Sequence, residues 1–353
     1  MKFQEEANDA FALLQQLISI PSFSKEEKAV ADFLERFIEE KGYVVTRKGN
    51  NVWMLSPGFD LSRPTLLLNS HIDTVKPVVG WTVDPFTAIV EKNKLFGLGS
   101  NDAGASVVSL LFAYFYLTQQ QQTYNLIFAA SAEEEISGKN GMESLLQELP
   151  EIDFAIVGEP TKMQLAVAEK GLMVLDCFVN GQAGHAARYE GENAIYKALN
   201  DIEWFRTFEF TKKSELLGAV KMTVTQINAG TQHNVIPDKC TFVVDVRSNE
   251  MYTNDEILEI INKNVSCDFQ ARSTRLSSTA TPLHHPIVLR GIELNLPLFG
   301  SPTLSDQALM PFPSLKMGPG DSARSHTADE YILLDEIREA IEIYVDMLDG
   351  LKF

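Results

Sequence analysis

Cysteine is scarce in this chain: three in 353 residues, at Cys177, Cys240 and Cys267. The number is odd and no two form a C-x-x-C pair. That argues against a disulfide framework or a thiolate metal site and fits a reducing cytosol. Positive charge is also short, with 30 Lys and Arg against 48 Asp and Glu, a net charge of -18. Polyanions are poor partners for such a surface, so neither nucleic acid nor an anionic membrane is expected to bind. Charge is missing from Ala103 to Ala132, but the densest apolar part, VVSLLFAYFYL, is shorter than the roughly 18–20 residues a membrane span needs. The polar QQQQ follows it. This region reads as a buried helix, a turn and a buried strand. The opening MKFQEEANDAF is acidic and carries no apolar core, so no export signal is expected and a cytoplasmic protein is. The sequence contains no GxSxG nucleophile elbow, no HExxH helix and no P-loop. GLGSND begins like a dinucleotide-binding glycine motif, but Asp102 stands where the third glycine belongs.

The length exceeds that at which single cores stop growing, so two domains are the first expectation. ANDAFALLQQLISI has helical spacing and stops at Pro21. SKEEKAVADFLERFIEEKG opens with Ser24 and has Glu27 three residues later, the pattern of a capping box. YVVTRK and NVWMLS read as strands. One motif then recurs: an apolar run ending in histidine or carboxylate. TLLLNS leads to His71 and Asp73, KLFGLGS to Asp102, NLIFAASA to Glu133, Glu134 and Glu135, and DFAIV to Glu159. Such runs suit strands buried on both faces of an α/β sheet, where ligands gather beyond the carboxyl ends.

From about Val174 the order becomes strand, helix, two strands, helix, strand, that of a ferredoxin-like unit. NDEILEIINKN is its second helix, with Asn254 or Asp255 as cap. The expected architecture is an α/β catalytic domain, with a mostly parallel sheet flanked by helices (residues 1–173 and 283–353). An inserted α+β, ferredoxin-like domain (residues 174–282) interrupts it.

Each candidate residue has a plain structural alternative. His71 and Asp73 alone read as a capped strand end, although two residues apart on a strand they share a face, and a carboxylate behind a metal-bound histidine fixes its tautomer. Asp102 alone is a helix N-cap. Glu159 in VGEPT is a turn residue before Pro160, His326 a loop residue and His185 in NGQAGHAAR a surface residue. The Glu133–Glu135 run is harder to dismiss, because it follows an apolar strand directly. Carboxylates converging there raise one another's pKa unless a cation neutralises them. Adjacent side chains point different ways, so one can bind metal while its neighbour acts as base. Imidazole with carboxylate suits zinc, cobalt or manganese. A bridging aspartate would hold two ions roughly 3.5–4 Å apart and bring the pKa of bound water toward about 7. A free glutamate then takes the proton, which is machinery for amide hydrolysis.

These stretches resemble motifs of the dinuclear zinc amidohydrolases and exopeptidases, the family that includes acetylornithine deacetylase, succinyl-diaminopimelate desuccinylase, aminoacylase and glutamate carboxypeptidase. SHIDTV, GLGSNDAG, SAEEEISGKNG, VGEPT, NVIPDKCTFVVDVR and GPGDSARSHTADEY match in order along nearly the whole chain. The resemblance implies two Zn2+ (Co2+ or Mn2+ as substitutes), one held by His71, Asp102 and Glu159 and the other by Asp102, Glu135 and His326, with Asp102 bridging. It makes Glu134 the general base and acid, although the triple glutamate leaves 134 and 135 open by one place. It has Asp73 orient His71, His185 polarise the scissile carbonyl from a partner subunit, and Asn234 and Arg247 bind substrate. It therefore implies a homodimer through the inserted domain. Ala103 stands where many members carry lysine, and SPTLSD where relatives carry GTSD, which bears on acyl-pocket contacts by Ser305 and Asp306.

The GPGD…H…DEY ending looks most like the acetylornithine and acetyl-lysine deacetylase branch. The implied substrate is a small N-acyl amino acid: N-acetyl-L-ornithine in arginine biosynthesis first, N-acetyl- or N-succinyl-citrulline close behind. N-acetyl-lysine, succinyl-diaminopimelate and a dipeptide or carboxypeptidase substrate remain alternatives, as does a metal-binding relative without catalysis.

Overall fold

Thr65–His71 is buried at every position, as a strand covered on both faces requires. Alternate residues serve opposite layers: Leu66 and Leu68 join one apolar core and Leu67 another. This computed structural model describes residues 3–352. Met1, Lys2 and Phe353 lie outside the described residues, and with them the first two residues of the stretch read for an export signal.

The first compact unit comprises Met1–Val167, Thr281–Phe299 and Ser305–Phe353. Its sheet contains β1 (Val45–Lys48), β2 (Asn51–Leu55), β3 (Thr65–His71), β4 (Asn125–Ser131), β5 (Phe154–Val157), β6 (Leu165–Glu169) and β7 (Ser314–Lys316). They lie in the order β1-β2-β4-β3-β5-β7-β6. The centre is parallel: β3 pairs so with β4 and β5, and β7 with β5. Both flanks are antiparallel. The carboxyl ends of β4, β3, β5 and β7 therefore open on one edge, where ligands of such sheets collect.

Four helices, α1 (Gln4–Ile18), α2 (Lys28–Glu40), α3 (Ala105–Thr118) and α4 (Leu334–Leu348), share the larger core with Leu66, Leu68, Phe128 and Ile156. α3, the uncharged run of the sequence, is buried on nearly every face and packs against α1 and α4. The other face is covered by Met142, Leu145 and Met310. Lys94–Phe96 is not part of this sheet. It joins Ile89–Glu91 and Tyr331–Leu333 in a separate three-stranded sheet, so Asp102 stands at a helix entry rather than at an end of the main sheet.

The second unit comprises Ala168–Ala280 and Gly300–Leu304, two segments in place of the single one expected at 174–282. Its antiparallel sheet has the order Lys221–Ala229, Lys239–Ser248, Gly171–Asn180, Asp268–Ala271. Helices Ala194–Thr207 and Asn254–Asn264 complete the strand-helix-strand twice over, a ferredoxin-like arrangement. Gly171–Asn180 alternates buried and part-exposed residues, so only one face is core.

Two capping expectations change. Ser24 does not cap α2: its hydroxyl donates to Asp73 (2.7 Å), and the N-cap is Glu27, whose carboxylate accepts from Lys25 N and Asn50 Nδ2. A capping serine accepts a helix N–H at its oxygen, whereas the Ser24 side chain is committed to the buried Asp73 carboxylate. Asn254 is not a cap either, because Thr253 and Glu256 form the capping box one residue earlier.

Gly158 leads β5 into Glu159 with no room for a side chain. A Cβ there would meet Leu110 Cδ1 at 2.7 Å and Ser106 Cβ at 2.8 Å, both on α3. Gly158→Ala is expected to lower unfolding stability by about 1–3 kcal/mol through overpacking, read from the urea midpoint. An unchanged midpoint would show that α3 does not press on this turn.

Candidate metal centre

The sheet edge gathers its residues from separate elements. His71 ends β3, and its neighbour on β4 is Ser131. Glu134 and Glu135 follow β4, and Glu159 follows β5. Asp102 lies in the turn that enters α3, and His326 in the loop after β7. His326 (φ 58°) and Glu133 (φ 55°) are held in the left-handed region, a conformation that costs roughly 1–3 kcal/mol and concentrates at functional sites. Asp102 is not a helix cap: the N-cap of α3 is Gly104.

Its carboxylate instead faces both histidines. Asp102 Oδ1 lies 3.3 Å from His71 Nε2 and Oδ2 lies 3.6 Å from His326 Nε2. His71 Nε2 is 3.8 Å from Glu159 Oε1 and 3.9 Å from Glu134 Oε2. His326 Nε2 is 3.0 Å from Glu135 Oε2. Two ligand sets close within 4.8 Å: His71, Glu134 and Glu159, and His71, Asp102 and Glu135. All these residues belong to the first unit.

Asp73 does more than the sequence suggests. His71 Nδ1 donates to its backbone carbonyl (2.9 Å), which turns Nε2 toward Asp102. Its carboxylate, 3.5 Å from Nδ1, accepts from Glu134 N (2.9 Å), Glu135 N (3.1 Å) and Ser24 Oγ. One aspartate thus orients the histidine and fixes the glutamate turn. Ser24 escaped sequence reasoning because a serine ahead of a helix looks like a cap.

Burial dominates the electrostatics. It pushes the Glu134 carboxyl well above the usual range, with Glu159, Asp306 and Glu135 adding to it against His71. It raises Glu159 to about 8. His71 is pulled down by burial, but Glu134, Asp102, Asp73 and Glu159 overcome this and hold it well above the ordinary imidazole value. Glu135 raises His326 to about 9 against the opposing effect of burial. Among the described residues Glu159 Oε1 finds no hydrogen-bond donor. A buried carboxylate oxygen left without a donor beside imidazole and further carboxylates fits a divalent cation.

Ser305 and Asp306 are buried beneath this edge. Ser305 accepts from Gln307 N, and Asp306 accepts from Ser131 Oγ (2.6 Å) and Asn69 Nδ2 (3.1 Å). These bonds tie Asp306 to the strands that carry His71 and the glutamates.

The remaining predicted residues lie in the second unit. His185 is exposed on the two-residue strand Gly184–His185, paired with Val235–Ile236. Its Nδ1 accepts from Ala187 N (3.1 Å), so a neutral ring carries its proton on Nε2. Asn234 is its neighbour, accepting Ala186 N (3.0 Å) at its carbonyl. Arg247 is elsewhere, near the end of Lys239–Ser248, in a two-bond pair with Asp245. It lies eight steps along the strand from Lys239, roughly 26 Å of rise.

Residues 67–350 match Peptidase family M20/M25/M40. The chain belongs to that family. It is therefore a hydrolase of amide bonds. The chain is 28% identical to the acetylornithine deacetylase of Proteus mirabilis (strain HI4320), across 96% of this chain and 95% of that protein. It is also 28% identical to the succinyl-diaminopimelate desuccinylase of Ehrlichia canis (strain Jake), across 72% of each. A tripeptidase from Staphylococcus aureus has the same fold (TM-score 0.77, 18% identity, 97% of this chain and 98% of that one). Among the described residues no helix is long and apolar enough to cross a membrane.

Metal ligands must shed their protons. Of the candidate ligands, Glu159 and His326 hold theirs into the neutral range or above. Titrating the metal-free protein with Co2+ in weak buffer near pH 7 is expected to release protons, and affinity should rise with pH until these groups are deprotonated. Uptake without proton release would contradict the geometry described.

Proposed function

We propose that this protein is a dinuclear, metal-dependent deacylase of N-acyl amino acids, with N-acetyl-L-ornithine as its leading substrate. One observation carries the reading: the two oxygens of Asp102 face the two histidines in turn, with Glu134 beside them. In this reading His71, Asp102 and Glu159 would hold one cation, and Asp102, Glu135 and His326 the other. Zn2+ is the metal favoured by imidazole and carboxylate together, with Co2+ or Mn2+ as substitutes. Such a pair, when bound, polarises the amide carbonyl and acidifies water. The ornithine assignment is supported by a relative named acetylornithine deacetylase that is similar along nearly the full length of both chains.

The chain's own groups then have distinct tasks. Glu134, turned toward His71 by the N–H bond its backbone makes to Asp73, takes a proton from the attacking water. It returns that proton to the amide nitrogen as the C–N bond breaks, which releases a carboxylic acid and a free amine. Asp73 keeps His71 Nε2 directed at Asp102. His185, with its proton on Nε2, donates to the developing oxyanion. In this reading it does so from the partner subunit of a homodimer formed through the second unit. Asn234 contributes to substrate binding beside it, and Arg247 receives the substrate carboxylate while it is steadied by Asp245. Three buried, unpaired cysteines fit a cytoplasmic setting.

Glu134→Gln is expected to lose at least roughly 100-fold in kcat while the purified protein keeps its bound metal. Full turnover would displace Glu134 as base in favour of Glu135. A panel crossing acetyl and succinyl groups with ornithine, citrulline, lysine and diaminopimelate is expected to give its highest kcat/KM on N-acetyl-ornithine. A higher value on succinyl-diaminopimelate would overturn the substrate assignment but leave the site intact. Mixing His185→Ala with Glu134→Ala protein is expected to restore part of the activity in hybrid dimers; no recovery would argue against a shared site.

A further inference from the structure

The turn that presents Asp102 is not held by helix α3 alone. Glu330 is buried, and its carboxylate accepts three backbone N–H groups of that turn: Gly99 N (3.1 Å), Asn101 N (2.8 Å) and Asp102 N (2.9 Å). The position of Glu330 is itself fixed. Gly97 N donates to its carbonyl (3.0 Å), and the strand that follows, Tyr331–Leu333, pairs with Lys94–Phe96. Glu330 also ends the loop that carries His326, four residues earlier. A second link joins the same two segments: Asn101 Nδ2 donates to Asp321 O (3.1 Å) and Ser325 Oγ (3.3 Å), and its Oδ1 accepts from Asp321 N (3.0 Å). The segments bearing Asp102 and His326 are therefore latched together, whereas His71 and Glu159 stand at the ends of parallel strands.

We infer that Glu330 is a positioning residue for the cation site that Asp102 shares with His326, acting on both ligands through backbone it grips rather than by touching a cation. The inference rests on the two-cation reading given above. A buried carboxylate that only stabilised the fold would change the melting temperature without changing metal binding. The latch predicts a change in binding itself. Both oxygens of Glu330 accept from this turn. In Glu330→Gln one of them becomes an NH2 donor facing a backbone N–H.

The test is calorimetric titration of the metal-free full chain with Zn2+. Wild type is expected to show two binding steps. In Glu330→Gln one step should weaken roughly 10- to 100-fold, the range typical when an outer partner of a ligand is removed. The other step should stay within about twofold, and lost turnover should return in excess Co2+. Two unaltered steps in Glu330→Gln, whatever its melting temperature, would overturn the inference and leave the functional reading standing. Should that variant not fold, Glu330→Asp keeps the carboxyl group but withdraws it by about 1.5 Å. The same selective weakening is then expected, and unaltered binding would again overturn the inference. A wild-type chain that takes up no metal would bring down the functional reading first, and this inference with it.

Discussion

Carboxylates do not share a small buried space without a counter-charge. Two unit charges about 4 Å apart at an effective dielectric near 20 repel by roughly 4 kcal/mol. At this sheet edge the ligand atoms of His71, Glu134 and Glu159, and those of His71, Asp102 and Glu135, fall within 4.8 Å of one another. The metal-free chain answers by holding protons: Glu159 is raised to about 8 and His326 to about 9. Divalent cations answer the same constraint without neutralising the ligands. The remainder of the first unit can be understood as what keeps these groups from moving apart.

That restraint comes from several sources. Parallel strands deliver His71, the glutamate turn and Glu159 to one edge. Gly158 and Gly318 allow close approach around Glu159, since a Cβ on Gly318 would lie 2.5 Å from Glu159 O. Outer carboxylates then fix the inner ones. Asp73 grips the glutamate turn, Asp306 ties β3 to β4, and Glu330 grips the turn of Asp102. In each case an acidic residue is stabilised by N–H or O–H donors and adds order where like charges would create disorder.

The sequence was most legible where chemistry and periodicity coincide. An apolar run ending in His71, or in three glutamates, announces both a strand and its open end. The ferredoxin-like order is visible because alternation of period two in Gly171–Asn180 and Lys239–Ser248 marks one-sided sheets. Local letters misled where tertiary partners claim the side chain that a helix end would otherwise use. Ser24 looks like a helix cap and serves Asp73, and Asp102 looks like a cap and faces two histidines. The antiparallel flanks were hidden for a related reason: β2 and β3 are both buried apolar runs, and burial alone does not encode direction. Glu330 could be found only through the structure, since its partners are backbone N–H groups some 230 positions away in the chain and backbone donors leave no mark in residue type.

The central claim is that Asp102 stands between two cations. Anomalous diffraction at the zinc edge, from crystals grown with Zn2+, tests it most directly. Two peaks roughly 3.5–4 Å apart, one beside His71 and one beside His326 with the Asp102 carboxylate between them, are the predicted result. A single peak, or two peaks with Asp102 bound to neither or to only one, would contradict the account.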